Sequence, residues 1–551
     1  MKKKDLFYTT DMSKKEHFRK KELKSLIPAV KNAIAPTIMA TLIFFMTWYL
    51  FGSENTMIGP FATLSFLRYR TMHNHYECMI KNFAIFLSMA VLAFLAVLNL
   101  PLCILINMLA LFWIAYILID EYNPANYFPA GMSLIFFQIA PAETPAALAN
   151  RIAALLATFV LVFLFTFVLT RINRKQNPLP DYLREGFDIC AEEIRLCGEI
   201  SLEQDSHSAA ADRSLCDEPH AGRLERLHAA LCDINKKASA EIYAYNRASI
   251  FPKGKTNWYC RFILFFQILN YLTIDPSDRG NLAKAEALYQ DFSHQFETVT
   301  PTADYHRLNF RLRKPDLRSF RLRFALRQVI TLTPCLVFAW LSSLPNAYWL
   351  VISVFFMMIP FTDHTMQRVR QRVGGTIAGI VICLVLFSLF SGFYARVIIM
   401  TIANFMIYGA NGYGPTVAYI TCSALAISTL DANISVTLML RLFYTLAGAA
   451  IALIANKWIF PIRLSRQIEY LAEMIRTIRE ELLKLDPSVS YSSGRRRWEI
   501  DQKIIKTYLL TKRLEDLCES MPEGECRFDY QAFEKKHINI MAEILSRHFL
   551  F

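Results

Sequence analysis

Charge is scarce in this chain and missing altogether from long stretches of it. Of 551 residues, 19% are charged and 54% are apolar, whereas soluble domains carry about 25% and 45–50%. No charged side chain occurs in 83–119, 152–170, 328–362, 373–395 or 397–430. A soluble core does not need such runs. A bilayer span does, because about 20 apolar residues cross the hydrocarbon. Soluble, fibrous, disordered and disulfide-rich secreted classes are thereby excluded.

Catalytic and metal motifs are absent as well. The twelve cysteines are scattered and form no CxxC pair, so neither a zinc site nor a redox motif is supported, and free thiols are the reading. There is no P-loop, no GxGxxG in context, no HExxH and no GxSxG. ATP-driven transport is unsupported, the chain reads as a non-enzyme, and no metal or cofactor is assigned. The net charge of +13 does not point to nucleic acid, because Lys and Arg cluster beside the apolar runs, as the positive-inside bias of membrane proteins requires.

What is present falls into blocks. Residues 1–26 hold nine basic side chains against four acids, beginning Met1-Lys2-Lys3-Lys4, and the apolar run that follows shows no cleavage pattern. This reads as a cytoplasmic basic leader before a retained span. Residues 27–171 form a first transmembrane half and 172–318 a cytoplasmic helical domain. Residues 319–463 form a second transmembrane half and 464–551 a C-terminal cytoplasmic helical domain. The expected class is all-α, a polytopic membrane protein with two parallel repeats of about six transmembrane helices.

Spans are expected near 27–51, 55–67, 82–99, 101–119, 128–141 and 151–171, and near 325–343, 346–361, 373–391, 396–409, 414–430 and 438–460. Pro101 divides the longest run. Spans 55–67 and 128–141 are short for a full crossing and suit either half-helices or protein-buried segments. The halves look like a repeat: each has a short second span, a basic segment, a Tyr-x-Pro turn (Tyr127-Phe128-Pro129, Tyr413-Gly414-Pro415) and an Arg opening the sixth span (Arg151, Arg441). With the N-terminus inside, the outer loops carry only Arg151, Arg396 and Arg441 as basic residues, so both termini are expected in the cytoplasm.

The soluble blocks show helical spacing, for example Leu183, Phe187, Cys190, Ile194 and Cys197. Residues 201–221 and Ser488 to Arg496 read as loops, and 464–486, 497–519 and 529–549 as helices. Trp258 to Leu272 is apolar but short and contains Arg261, so a buried core helix is expected there instead of another span.

The stretch Asn346-Ala347-Tyr348-Trp349-Leu350-Val351-Ile352-Ser353, continued through Arg368, Arg370 and Arg372 to Val373-Gly374-Gly375-Thr376-Ile377-Ala378-Gly379, resembles the fusaric acid resistance family, which overlaps the aromatic acid exporters. A Tyr-Trp heads the second span there, followed by a basic helix and a Gly-rich third span. In the first half Asn55-Thr56-Met57-Ile58 stands in place of the Tyr-Trp, and Lys81-Asn82-Phe83 in place of the glycines. The resemblance implies an inner-membrane carrier or channel for organic anions, often aromatic carboxylates. It also implies a periplasmic adaptor as partner in a two-membrane host, although the outer loops are short. Membrane lipid and a small organic anion are the other expected partners, and a homo-oligomer stays open.

Candidate binding residues follow from charge. Arg368 and Arg372 lie four apart and share one helix face, whereas Arg370 points elsewhere. With Arg68 and Arg70 they form either an anion-attracting vestibule or ordinary headgroup anchoring. Arg151 and Arg441 face either a partner or cavity, or snorkel to outer headgroups; an intramembrane Arg costs roughly 2.5–3.5 kcal/mol. Tyr127 and Tyr413 begin the fifth spans, as helix starts with proline or as broken-helix N-termini aimed at a carboxylate. Asp120, Glu121 and Asp363 are candidates for a coupling proton, against solvated helix ends. His73, His75 and His364 lie near the same mouth without a demonstrable metal geometry. The expected function is efflux of organic anions, aromatic carboxylates foremost. An anion channel is one rival, and a non-transport scaffold or envelope protein with partner-binding helices is the other.

Overall fold

The computed structural model describes residues 30, 32–70, 76–119, 124–172, 178–208, 218–247, 253–273, 276, 278–298, 317–390, 392–410, 412–429, 433–485, 494–521 and 528–549. It is all-α, with no strand among the described residues. Among the described residues seven helices are long and apolar enough to cross a bilayer, and the protein is an all-α polytopic membrane protein.

The first set of six helices is α1 (Asn32–Phe51), α2 (Ile58–Arg70, after a 3-10 turn at Ser53–Met57), α3 (Tyr76–Val97), α4 (Leu100–Ile117), α5 (Phe128–Ile139) and α6 (Pro145–Ile172). A layer of α7 (Leu179–Ser208), α8 (Glu218–Arg247), α9 (Lys253–Leu272) and α10 (Arg279–Thr298) follows. The second set is α11 (Phe320–Leu341), α12 (Tyr348–Met357), α13 (Thr365–Leu389), α14 (Phe393–Gly409), α15 (Tyr413–Ser428) and α16 (Ile434–Trp458). The chain ends with α17 (Leu464–Leu483), α18 (Gly494–Glu519) and α19 (Tyr530–Phe549).

Local sequence sets the boundaries. Pro101 sits in the first turn of α4, and the Asn99 side chain accepts a hydrogen bond from the Leu102 amide at 2.9 Å. The run is broken there because proline tolerates a helix start while asparagine satisfies an orphan donor. Asn433 caps α16 in the same way. Gly392 and Gly412 precede α14 and α15 with φ of 98° and 96°, a region that side chains rarely occupy.

The two sets pack alike. In each, the third helix lies against the fifth and sixth and the second against the sixth. Polar bridges repeat too. Asn107 and Gln138 exchange amide hydrogen bonds of 3.0 and 2.7 Å between α4 and α5, and the Ser423 hydroxyl donates to Asn404 Oδ1 at 3.0 Å between α15 and α14. Across the seam, α11 packs on α4. The reciprocal pair meets through Trp48 of α1 and Phe393 of α14, edge to face at 6.1 Å.

Several expected boundaries shift. Helix α7 runs to Ser208 and α8 starts at Glu218, so both helices consume part of the expected 201–221 loop. The second span of the second half is helical only over Tyr348–Met357, because Pro360 cannot donate to a helix ladder. The basic segment after it forms the first two turns of α13, continuous with its apolar part.

Helix α9 is buried, with Phe262, Phe265, Phe266 and Leu269 in the core, and it packs on α7, α8, α10, α18 and α19. The tail and the middle block therefore share one apolar centre. Helix α17 buries Leu464, Ile468, Leu471, Ile475 and Leu482 at helical spacing. Its entry is tied to the bundle by the Leu464 amide donating to Asp363 Oδ2 at 2.6 Å and the Thr362 amide donating to the Ile462 carbonyl at 2.9 Å.

Candidate functional site

Among the described residues four arginines are buried in the second helix set, Arg327, Arg372, Arg396 and Arg441, of which Arg396 on α14 lies over Phe387 at 3.4 Å from the centroid. Arg327 on α11 and Arg372 on α13 are fully buried, Arg441 on α16 is 2% exposed, and Arg368 on α13 is half-buried. Arg370 is exposed, as its position on the helix face requires. Helical spacing puts Arg368 and Arg372 on one side of α13, where α15 and α16 also pack.

Close backbone approach makes this possible. A Cβ on Gly375 would lie 2.6 Å from the Gly414 carbonyl oxygen, and one on Gly379 would lie 2.5 Å from that of Ala418. Glycine is thus the residue that lets α13 meet the backbone of α15. Gly374 of the same motif faces open space and has no such role.

Each guanidinium meets an aromatic ring. Arg368 lies over Tyr413 at 3.1 Å from the centroid, Arg372 over Phe356 at 4.7 Å and Arg441 over Trp349 at 5.1 Å. The Arg368 Nε donates to the Phe356 carbonyl at 3.3 Å. Arg441 interacts electrostatically with Arg372, Tyr348 and Tyr413, and Arg368 with Tyr127, Tyr413 and Arg372. Arg372 Nε and Nη1, Arg441 Nε and the Tyr413 hydroxyl are buried without a hydrogen-bond partner. Among the described residues no carboxylate forms an ion pair with any of these arginines. Buried donors ordinarily have partners, and leaving a buried charge uncompensated destabilises a protein by about 3–5 kcal/mol.

Arg327 has a different duty. Its Nη2 donates to the Ile359 and Pro360 carbonyls at 3.0 and 2.6 Å, where the chain leaves α12. Arg151 on α6 does the same for the exit of α5. It donates to the Phe137 carbonyl at 3.1 Å, to the Ala140 carbonyl, and through Nε to Asn55 Oδ1 at 3.1 Å. Each set thus spends one arginine on carbonyls freed by a short interior helix, which would otherwise stay unpaired in the bundle.

The candidates separate on this geometry. Arg368, Arg372, Tyr413 and Arg441 come together. Tyr127 reaches them across the seam. Its ring stands edge-on to Phe324 at 5.0 Å and Phe355 at 5.9 Å. Arg151 lies in the other set, fully engaged. Asp363 binds the start of α17, and His364 precedes α13. Arg68 and Arg70 are in the last turn of α2, with side chains outside the described ones, and Asp120, Glu121, His73 and His75 lie outside the described residues. Arg327 was not singled out by sequence reasoning, although it is a charge at the very start of an apolar run. Phe356 carries no sequence signal that distinguishes it from other phenylalanines.

Comparison with known proteins gives partial matches. The chain is 32% identical over 149 residues to an uncharacterized protein of Synechocystis, covering 26% of this chain and 19% of that protein. It is 28% identical over 142 residues to an uncharacterized protein of Haemophilus influenzae, covering 25% and 20%. It therefore spans about a fifth of the length of the curated relatives it matches. No solved structure matches it significantly. Residues 334–455 match the fusaric acid resistance protein-like family, and this segment holds Arg368, Arg372, Tyr413 and Arg441 together.

Proposed function

We propose that the chain is a membrane transporter that exports organic anions, aromatic carboxylates foremost, across the inner membrane, with both termini in the cytoplasm. The observation that carries this reading is the group of Arg368, Arg372 and Arg441, in which Arg372 and Arg441 hold buried donors without a partner and, among the described residues, no acid forms an ion pair with any of the three. A carboxylate supplies the missing charge and accepts the fork of N–H donors. Tyr413, Trp349 and Phe356 offer flat walls to an aromatic body. The family match of 334–455 supports a transport role for the same segment.

An inside-negative potential favours exit of a monovalent anion by about 2.3 kcal/mol per 100 mV. That sustains roughly a 40-fold gradient, so export needs neither ATP nor an obligatory proton. Arg372 is 1% exposed and Arg441 2%, which favours a carrier that opens by helix movement over a standing aqueous channel.

The test is efflux of radiolabelled 4-hydroxybenzoate from proteoliposomes under an imposed potassium diffusion potential. Potential-driven flux is expected to fall at least tenfold in Arg372→Gln with Arg441→Gln, in a variant that stays monodisperse. Equal flux in both proteins, or none in either, would defeat the proposal and leave the scaffold reading. Unitary currents in planar bilayers would replace the carrier by a channel.

A further inference from the structure

A second arginine-lined site lies far along the chain, in the helical tail. Between α17 and α19 lies an open cleft of about 610 Å³ whose lining includes Arg476, Arg479, Phe528, Phe533 and Lys536. Ligand pockets commonly fall between about 300 and 1,000 Å³.

Arg479 is the unusual member. It sits on the apolar side of α17 and is 5% exposed, yet its Nε and Nη1 have no hydrogen-bond partner. Its guanidinium lies 5.4 Å from the centroid of Phe533, and that of Arg476 lies 5.9 Å from the same ring. Two like charges approach one aromatic ring, and burial followed by Arg476 lowers the proton affinity of Arg479. The ring of His537 lies parallel to that of Phe533 at 6.3 Å. Burial, then the Arg479 charge, pushes its pKa down to about 3, so this neighbour of the ring is neutral.

Two acids also line the cleft. Asp529 is committed to the α19 start, where its Oδ1 accepts the Ala532 amide at 3.0 Å. Glu480 is exposed on α17 and interacts electrostatically with Arg479. Neither gives Arg479 a hydrogen bond. Buried N–H groups of a guanidinium demand an acceptor, and the fork geometry suits a planar carboxylate. Phe528 and Phe533 supply the apolar remainder.

We infer that the cleft between α17 and α19 is a binding site for a small aromatic carboxylate, distinct from the arginines of the membrane bundle. Occupancy would place an organic anion in direct contact with the helix that Asp363 and Thr362 tie to the start of α13, so the site is positioned to report anion concentration to the bundle. The binding claim stands without the transport reading, and only that last step rests on it.

The experiment is equilibrium binding of radiolabelled salicylate to the full chain in nanodiscs. Arg479→Gln and, separately, Arg476→Gln are expected to weaken one class of site at least tenfold, as loss of a charge-assisted bond does. Arg476 is exposed, so its variant keeps the test valid if the Arg479 variant misfolds. The variant lacking Arg372 and Arg441 should retain this class. Salicyl alcohol, the uncharged analogue, should not compete for it. Salicylate binding unaffected by both tail substitutions, or displaced equally by the alcohol, would overturn the inference. A single class lost only in the bundle variant would overturn it while leaving the transport reading intact; a single class lost only in the tail variants would do the reverse.

Discussion

The Tyr127 hydroxyl donates a hydrogen bond to the Met358 carbonyl, 3.1 Å away, and so joins the start of α5 in one helix set to the exit of α12 in the other. Removing the hydroxyl leaves the carbonyl without this donor, while the ring still fills its slot. Tyr127→Phe is expected to lower stability by about 1–3 kcal/mol, read as a fall in melting temperature in detergent. Tyr127→Ala should cost more, since a core ring is lost as well. Equal melting of wild type and the Phe variant would show that the bond contributes nothing at the seam.

The α13–α15 contact makes a sharper prediction. Gly379→Ala places a methyl where the Ala418 carbonyl oxygen already stands, and overpacking of this kind costs about 1–3 kcal/mol. Gly374→Ala, on another face of the same helix, meets nothing within 4 Å and should melt at or slightly above wild type. Thermal denaturation of the two side by side decides the matter; matched losses would mean that the helices part freely.

Asn107 and Gln138 exchange two hydrogen bonds inside the bundle. A double-mutant cycle with Asn107→Ala and Gln138→Ala should return a coupling of about 0.6 kcal/mol, up to about 1.7, the range found for polar pairs in membranes. Additive losses would place the two amides in separate roles.

Glu193 on α7 is buried with Oε1 unpaired, and Thr273 Oγ1 donates weakly to Oε2 at 3.5 Å. Burial pushes its pKa up to about 8, against the hydrogen bond from Thr273. The folded state therefore holds a proton that the unfolded chain releases above about pH 4.3. Stability should fall as pH rises through this carboxyl's titration, up to about 8, and level off beyond. Glu193→Gln should abolish that component, melting higher than wild type at pH 8.5 and alike at pH 4. Melting curves between those limits that run parallel would show the carboxyl to be solvated.

Much of the architecture was legible because bilayer constraints write themselves as composition. The charge-free runs at 83–119 and 397–430, and Pro101 between two helices, leave few alternatives. The basic face of Arg368 and Arg372 was legible from spacing, with Arg370 correctly on another side. What those arginines touch was not. Arg151 and Arg441 occupy matching places in the repeat, yet one is absorbed by the carbonyls of α5 and the other faces Trp349. Pairing across the fold depends on contacts between residues tens of positions apart, and periodicity holds no information on them. Arg479 was hidden for the same reason, since Arg and Glu on α17 resemble the solvated face of any amphipathic helix. The shortness of α12 needed Arg327, 32 residues upstream, to become affordable.

Helix α9 carries a consequence for biogenesis. Its apolar stretch is a near miss for a membrane signal, held in check by Arg261 and by length. Were an insertion machinery to accept it, the number of crossings before α11 would change by one. Every segment after it would then emerge on the opposite face, and the arginine group of α13 and α16 would be turned end for end. A single apolar replacement of Arg261 thus threatens the polarity of half the molecule without touching any residue of that half.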